Sequence, residues 1–205
     1  MPDELVEIPL EYFQTAIEWL QAQEQVDPGR LAVIGNFRGG ELALLFGSRV
    51  PVIKAVVSYA GSGVLHSGYG SSSATLRTSA WSWQGEPLPF YDDHGSLTDY
   101  LIPVAEINGP VLLISGNDQM WPSGLYTALA YKRLKDHEHP CFYKHLRYSG
   151  AGHRFRFPYR PTTEIDIQDP VSGETFSIGG TPEVNAAAAA DAWWWVLHFL
   201  GFWKN

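Results

Sequence analysis

The stretch Leu31-Ala32-Val33-Ile34-Gly35-Asn36-Phe37-Arg38-Gly39-Gly40-Glu41-Leu42-Ala43-Leu44-Leu45 decides how the rest of the chain reads. Its first four residues form a short continuous apolar run, as in a parallel strand buried on both faces. Residues 35–40 are a glycine-rich turn. Residues 41–48 then resume a helical period, with Leu42, Leu45 and Phe46 on one face. Glycines two positions before and two after a central residue, between a strand and a helix, are the context of a nucleophile elbow, Gly-x-nucleophile-x-Gly. The small residues let the turn close, and the central residue projects from the tip of a strained bend. Here that residue is Phe37. The backbone N–H of Arg38, opening the helix, would face a developing oxyanion.

Outward from the turn, strands and helices alternate. A helix is predicted over residues 9–25, where Phe13, Ala16, Ile17 and Leu20 share a face, and Asp27-Pro28-Gly29 stops it. Further strands are predicted over 53–59, 111–114 and 142–148, and helices over 126–134 and 186–202. Residues 61–110 and 154–184 read as irregular insertions, the first with a short helix near its end. No repeat or composition break divides the chain, so residues 1–205 read as a single domain. The alternation predicts an α/β class, a mostly parallel sheet with helices on both faces. Ligand sites of such sheets gather at the strand C-terminal ends.

Composition narrows the function classes. Of 205 residues, 45% are hydrophobic and 18% charged, which suits a globular domain, and the net charge of -8 argues against a nucleic-acid partner. Cys141 is the single cysteine, so no internal disulfide forms and a reducing, cytoplasmic setting is expected. The opening residues lack a signal-peptide pattern. The final apolar segment is interrupted by Asp191 and His198, and a spanning helix needs about 20 predominantly apolar residues. It therefore reads as a helix packed on the sheet, with no membrane association. Trp193, Trp194 and Trp195 cannot share one face of that helix, so at least one is exposed or covered by another surface.

Two more loops follow strands: Ser115-Gly116-Asn117-Asp118 and Gly150-Ala151-Gly152-His153. Elbow residue, acid, histidine is a chain order that serves acyl transfer, the acid fixing the imidazole and the imidazole taking the nucleophile's proton. Asp118 has a second reading, a turn residue that bonds its own backbone. His137-Glu138-His139 has metal-ligand spacing but lies in a polar turn without further ligands nearby, and reads as an exposed turn. No metal site is expected.

Together IPLEYFQTAIEWL, GNFRGGELALL, IKAVVSYAGS, LLISGNDQMWPS, YSGAGH and GGTPEVNAAAAADAWWWVLHFL, in that order over residues 8–200, resemble the acyl-CoA thioesterase and bile-acid-CoA:amino-acid N-acyltransferase family in its C-terminal catalytic domain. The resemblance implies an α/β-hydrolase fold and hydrolysis of, or acyl transfer from, an acyl-CoA-type small molecule. It implies covalent catalysis with no metal or redox cofactor. The family's Ser or Cys nucleophile, Asp and His fall on Phe37, Asp118 and His153, and Arg154, Arg156 and Arg160 read either as a CoA phosphate contact or as a solvated loop.

The chain departs from the family at three points. Phe37 replaces the nucleophile, giving a degenerate triad. The acid loop is one residue short of the family's Asp-Asp pair. The sequence opens just before the helix that precedes the elbow strand. The family's earlier strands, with the loop bearing a second oxyanion donor, and the sandwich domain of its animal members are therefore expected to be absent, which would leave an open sheet edge for a homo-oligomer or partner to cover. A phenyl ring has no lone pair or ionisable proton to offer a thioester. Neither Ser48 nor Cys141 stands where a one-residue slip of the elbow would use it. Three readings remain open: an inactive member, an active enzyme whose serine has been replaced, or a non-enzymatic module binding an acyl ligand or a partner chain.

Overall fold

A computed structural model describes residues 4–70, 77–92, 94–118, 121–153, 155, 157–169 and 173–202. Arg154 and Arg156 lie outside the described residues, as does Met120 of the acid-loop motif.

The main sheet has four parallel strands in the order β2 (Leu31–Asn36), β3 (Ile53–Tyr59), β6 (Val111–Gly116), β7 (Tyr143–Tyr148). Chain order and spatial order coincide. Crossovers of one hand then all leave the sheet on the same face. That face carries α1 (Leu10–Gln21), α2 (Arg38–Arg49) and α3 (Ser123–Asp136) over a core including Leu44, Leu45, Ile53, Val56, Leu113 and Leu134. The last helix, α4 (Pro182–Phe202), covers the opposite face through Ala188, Ala192, Val196 and Phe199 against Ala55, Val57, Leu112 and Ile114.

The cover is incomplete at β2. Leu31 and Val33 join the first core, whereas Ala32 and Ile34 point to the other face and are exposed, Ile34 by 37%. On α4, Trp194 is the exposed tryptophan of the three, stacked on His198 at 3.6 Å between ring centroids. Among the described residues no helix is long and apolar enough to cross a membrane.

Two smaller sheets flank the main one. β1 (Ile8–Pro9), β4 (Trp81–Trp83) and β5 (Glu86–Pro87) form a three-stranded sheet, and β8 (Asp166–Gln168) pairs antiparallel with β9 (Thr175–Ser177). Between β3 and β6 the chain also forms two 3-10 turns, Leu97–Tyr100 and Val104–Glu106.

Element types agree with the periodicity, and the ends differ for local reasons. α1 stops at Gln21, where the apolar period gives way to a polar run. α2 begins at Arg38 rather than Glu41 because the elbow runs directly into the helix. α4 starts at Pro182, which has no N–H to lose in a first turn. His139 overturns the reading of an exposed turn at its own position. It is buried, with Nε2 2.9 Å from the Gly109 carbonyl and Nδ1 3.3 Å from that of Ala105, while His137 and Glu138 are exposed.

Candidate active site

The ends of β2, β6 and β7 bring Phe37, Asp118 and His153 together at one rim of the sheet. Phe37 caps α2 with φ 55° and ψ -119°, a positive φ that a non-glycine residue rarely adopts. Its N–H donates to the Tyr59 carbonyl at 2.8 Å, and its carbonyl accepts from Gly40 and Glu41 at 2.8 and 3.1 Å. The demand for glycine falls on Gly35, where a Cβ would lie 1.7 Å from the Gly39 carbonyl oxygen, while Gly39 has open space for one. Arg38 supplies the first N–H of α2, a position without an intrahelical acceptor.

The Phe37 ring meets the His153 imidazole edge-on, with centroids 4.6 Å apart, and meets the Trp121 ring edge-on at 5.0 Å. The aromatic contacts continue from Trp121 to His66 at 4.5 Å and to Tyr126 at 5.0 Å. The corner in front of His153 is thus filled by carbon.

His153 is 2% exposed, and its Nδ1 lies 3.3 Å from Asp118 Oδ2. The approach is not aligned as a hydrogen bond, and Nδ1 makes none among the described residues. Asp118 accepts its hydrogen bonds from a turn amide and a hydroxyl, within 3.3 Å of the imidazole. Oδ1 accepts the Trp121 N–H at 2.5 Å as a turn residue would, and Oδ2 accepts the Ser123 hydroxyl at 2.6 Å on the side facing His153. The Asn117 N–H donates to the Ala151 carbonyl at 2.8 Å, joining the acid and histidine loops. Among the described residues no hydroxyl or thiol hydrogen-bonds the His153 ring. Ser48 donates to the Leu45 carbonyl within α2, and Cys141 sits just before β7.

Beneath the elbow lies a buried polar cluster that periodicity did not reveal. Arg38 Nη1 donates to Glu41 Oε2 at 2.6 Å, and Nη2 to the carbonyls of Ser67 at 2.7 Å and His66 at 3.3 Å. Glu41 Oε1 accepts from Trp81 Nε1 at 2.7 Å. Burial pushes the Glu41 carboxyl up to about 7 against the opposing pull of Arg38. Burial, with Arg38 nearby, holds the His66 imidazole down to about 3, so it is neutral, 3.0 Å from the Ser62 hydroxyl. The Arg38/Glu41 spacing of one helical turn was the available signal for the ion pair. Nothing in the sequence pointed to Trp81. Ser123 was legible only as part of the acid-loop motif. Arg160 is exposed.

A sequence profile described as BAAT / Acyl-CoA thioester hydrolase C terminal matches residues 8–82 and 90–202. The chain belongs to this family. Among its relatives in the BAAT / acyl-CoA thioester hydrolase family, the peroxisomal succinyl-coenzyme A thioesterase of Mus musculus is 29% identical over 216 residues, 98% of this chain and 50% of the relative. Acyl-coenzyme A thioesterase 6 of Homo sapiens is 27% identical, over 98% of this chain and 50% of the relative. Acyl-coenzyme A amino acid N-acyltransferase 1 of Mus musculus is 28% identical, over 94% and 48%. The chain therefore spans about half the length of these curated relatives.

Solved structures agree on the fold. A dienelactone hydrolase-like promiscuous phosphotriesterase from metagenomic libraries superposes with TM-score 0.56 at 18% identity, over 94% of this chain and 60% of the other. A puromycin-hydrolyzing peptidase of Mycobacterium tuberculosis gives 0.53 at 19%, over 94% and 24%. The architecture of this family member is the α/β-hydrolase fold.

Proposed function

We propose that this domain is of the acyl-CoA thioester hydrolase or acyltransferase type and is catalytically silent because Phe37 stands where the attacking atom belongs. One observation carries the reading. The elbow geometry is retained at residue 37, in front of the His153–Asp118 pair, yet it presents a phenyl ring edge-on to the imidazole. Family membership supports an acyl-CoA as the substrate class.

In a member bearing Ser or Cys at position 37, His153 would take the nucleophile's proton and later return one, with Asp118 orienting its ring. The Arg38 N–H would receive the negative charge of the tetrahedral oxygen. Acyl transfer to the nucleophile would release the thiol, and water or an amine would release the acyl group. Phe37 would remove the first bond-forming step while His153, Asp118 and the Arg38 N–H stay at the rim.

The test is an assay of the native protein and Phe37→Ser on a panel of acyl-CoAs. Turnover by Phe37→Ser and none by the native protein supports the reading. Equal rates in both proteins would overturn it.

The exposed side of β2 favours a second reading, a module without catalysis that docks a partner or a second copy over Ala32 and Ile34. That reading predicts a complex, visible by light scattering, that Ile34→Lys disrupts.

A further inference from the structure

We propose that Asn185, in the first turns of α4, is a positioning residue that sets the backbone of the histidine loop. The inference rests on the reading of His153 as the domain's general base, and it is independent of what occupies position 37.

Asn185 is a polar residue placed where α4 would otherwise bury carbon. It is 1% exposed, and its Oδ1 accepts the Gly152 N–H at 2.8 Å across the gap between α4 and the loop. Its own N–H donates to the Thr181 carbonyl at 2.8 Å, and the Thr181 hydroxyl accepts the Val184 N–H at 3.3 Å as an N-cap. The side chain is therefore carried on a capped helix end rather than on a loop.

Gly152 has little room to shift. A Cβ there would lie 2.0 Å from the Gly179 carbonyl oxygen. The next amide, that of His153, donates to the Ile178 carbonyl at 2.7 Å. Two consecutive loop amides are thus held by one segment, residues 178–185. On the other side of Gly152, the Ala151 carbonyl takes the Asn117 N–H of the acid loop. Asn185 consequently acts at the hinge between the acid-loop contact and His153. The imidazole sits 3.3 Å from Asp118 Oδ2 without alignment, so a small backbone displacement decides whether its Nδ1–H points at the carboxylate.

A purely structural asparagine would affect stability and leave the imidazole unchanged. The experiment is 15N spectroscopy of the histidine rings in the full chain, comparing native protein with Asn185→Leu, Asn185→Ser and Asn185→Asp. Leu has similar bulk and no acceptor, Ser is too short to reach, and Asp keeps Oδ1. The expected result is a change of about twofold or more in the ratio of the two His153 tautomers in the Leu and Ser variants. The Asp variant keeps the acceptor and adds a buried charge, so its ratio should lie closer to native than that of Leu or Ser, and His198, outside these contacts, serves as the internal standard. If Leu prevents folding, Ser decides alone. Folded Leu or Ser variants with a native His153 spectrum would overturn the proposal. The readout needs no turnover, so a failure of the thioesterase reading would appear separately, as an inactive Phe37→Ser protein with a native His153 spectrum.

Discussion

The ring of Phe37 and the imidazole of His153 stand edge-to-face, planes 86° apart and centroids 4.6 Å apart, on a backbone whose φ at Phe37 is 55°. Packing holds a strained residue in place. Edge-to-face pairs contribute about 0.5–1.5 kcal/mol each, and Phe37 makes two, to His153 and Trp121. Backbone strain of this kind costs about 1–3 kcal/mol. The two effects are comparable, and two substitutions separate them. Phe37→Ala loses the rings' contacts and keeps the strain, whereas Phe37→Gly loses the contacts and relieves it. Urea unfolding should therefore rank Gly above Ala by about 1 kcal/mol, the reverse of their order in a helix interior. Ala equal to or above Gly would mean that the elbow is not strained.

The Ser123 hydroxyl is a buried donor to Asp118 Oδ2 at 2.6 Å. Hydrogen bonds to charged groups contribute about 1.5–3 kcal/mol. Ser123→Ala should lower stability by about that amount, measured by denaturant unfolding at neutral pH. A loss below about 0.5 kcal/mol would mean that Asp118 is held by the Trp121 amide alone.

Much of this arrangement is legible in the sequence because it is local. The run from Leu31 to Ile34, the glycines at 35 and 39 and the apolar period after them define strand, turn and helix within a few residues of Phe37. Asp118 and His153 are legible because each follows an apolar run at a comparable distance. What joins elements far apart in the chain left no periodic trace. The bond from Trp81 to Glu41 links residues 40 apart, and that from Asn185 to Gly152 links residues 33 apart. His139 read as a surface turn because its neighbours are polar. Its burial depends on the carbonyls of Ala105 and Gly109, which only the folded chain brings near.

The buried cluster under the elbow makes stability depend on pH in two opposed ways. Glu41 is raised by burial from 4.5 to about 7, so its contribution is fully present below about pH 4.5 and is lost as pH rises through 7. His66 is lowered from 6.5 to about 3, so its contribution is present above pH 6.5 and is lost as pH falls toward 3. Over the shared window the two slopes cancel in part, each reaching at most about 1.4 kcal/mol per pH unit. Glu41→Gln should make stability rise more steeply with pH across the window from about pH 5 to 6.5, and His66→Asn should tilt it the other way. Slopes are compared rather than levels, because Glu41→Gln also replaces one of the carboxyl oxygens that accept from buried Arg38 and Trp81. Three parallel stability curves would contradict this account of the cluster.

The central claim is that the His153–Asp118 pair faces position 37, where Phe37 offers no attacking atom. Its most direct measurement is labelling with a fluorophosphonate, followed by intact mass and peptide mapping. The account predicts no adduct on the native chain, one adduct at position 37 in Phe37→Ser, and its loss when His153→Ala is added. A stable adduct on the native protein at Ser62, Ser123 or any other hydroxyl, or a folded Phe37→Ser protein that stays unlabelled, would contradict it.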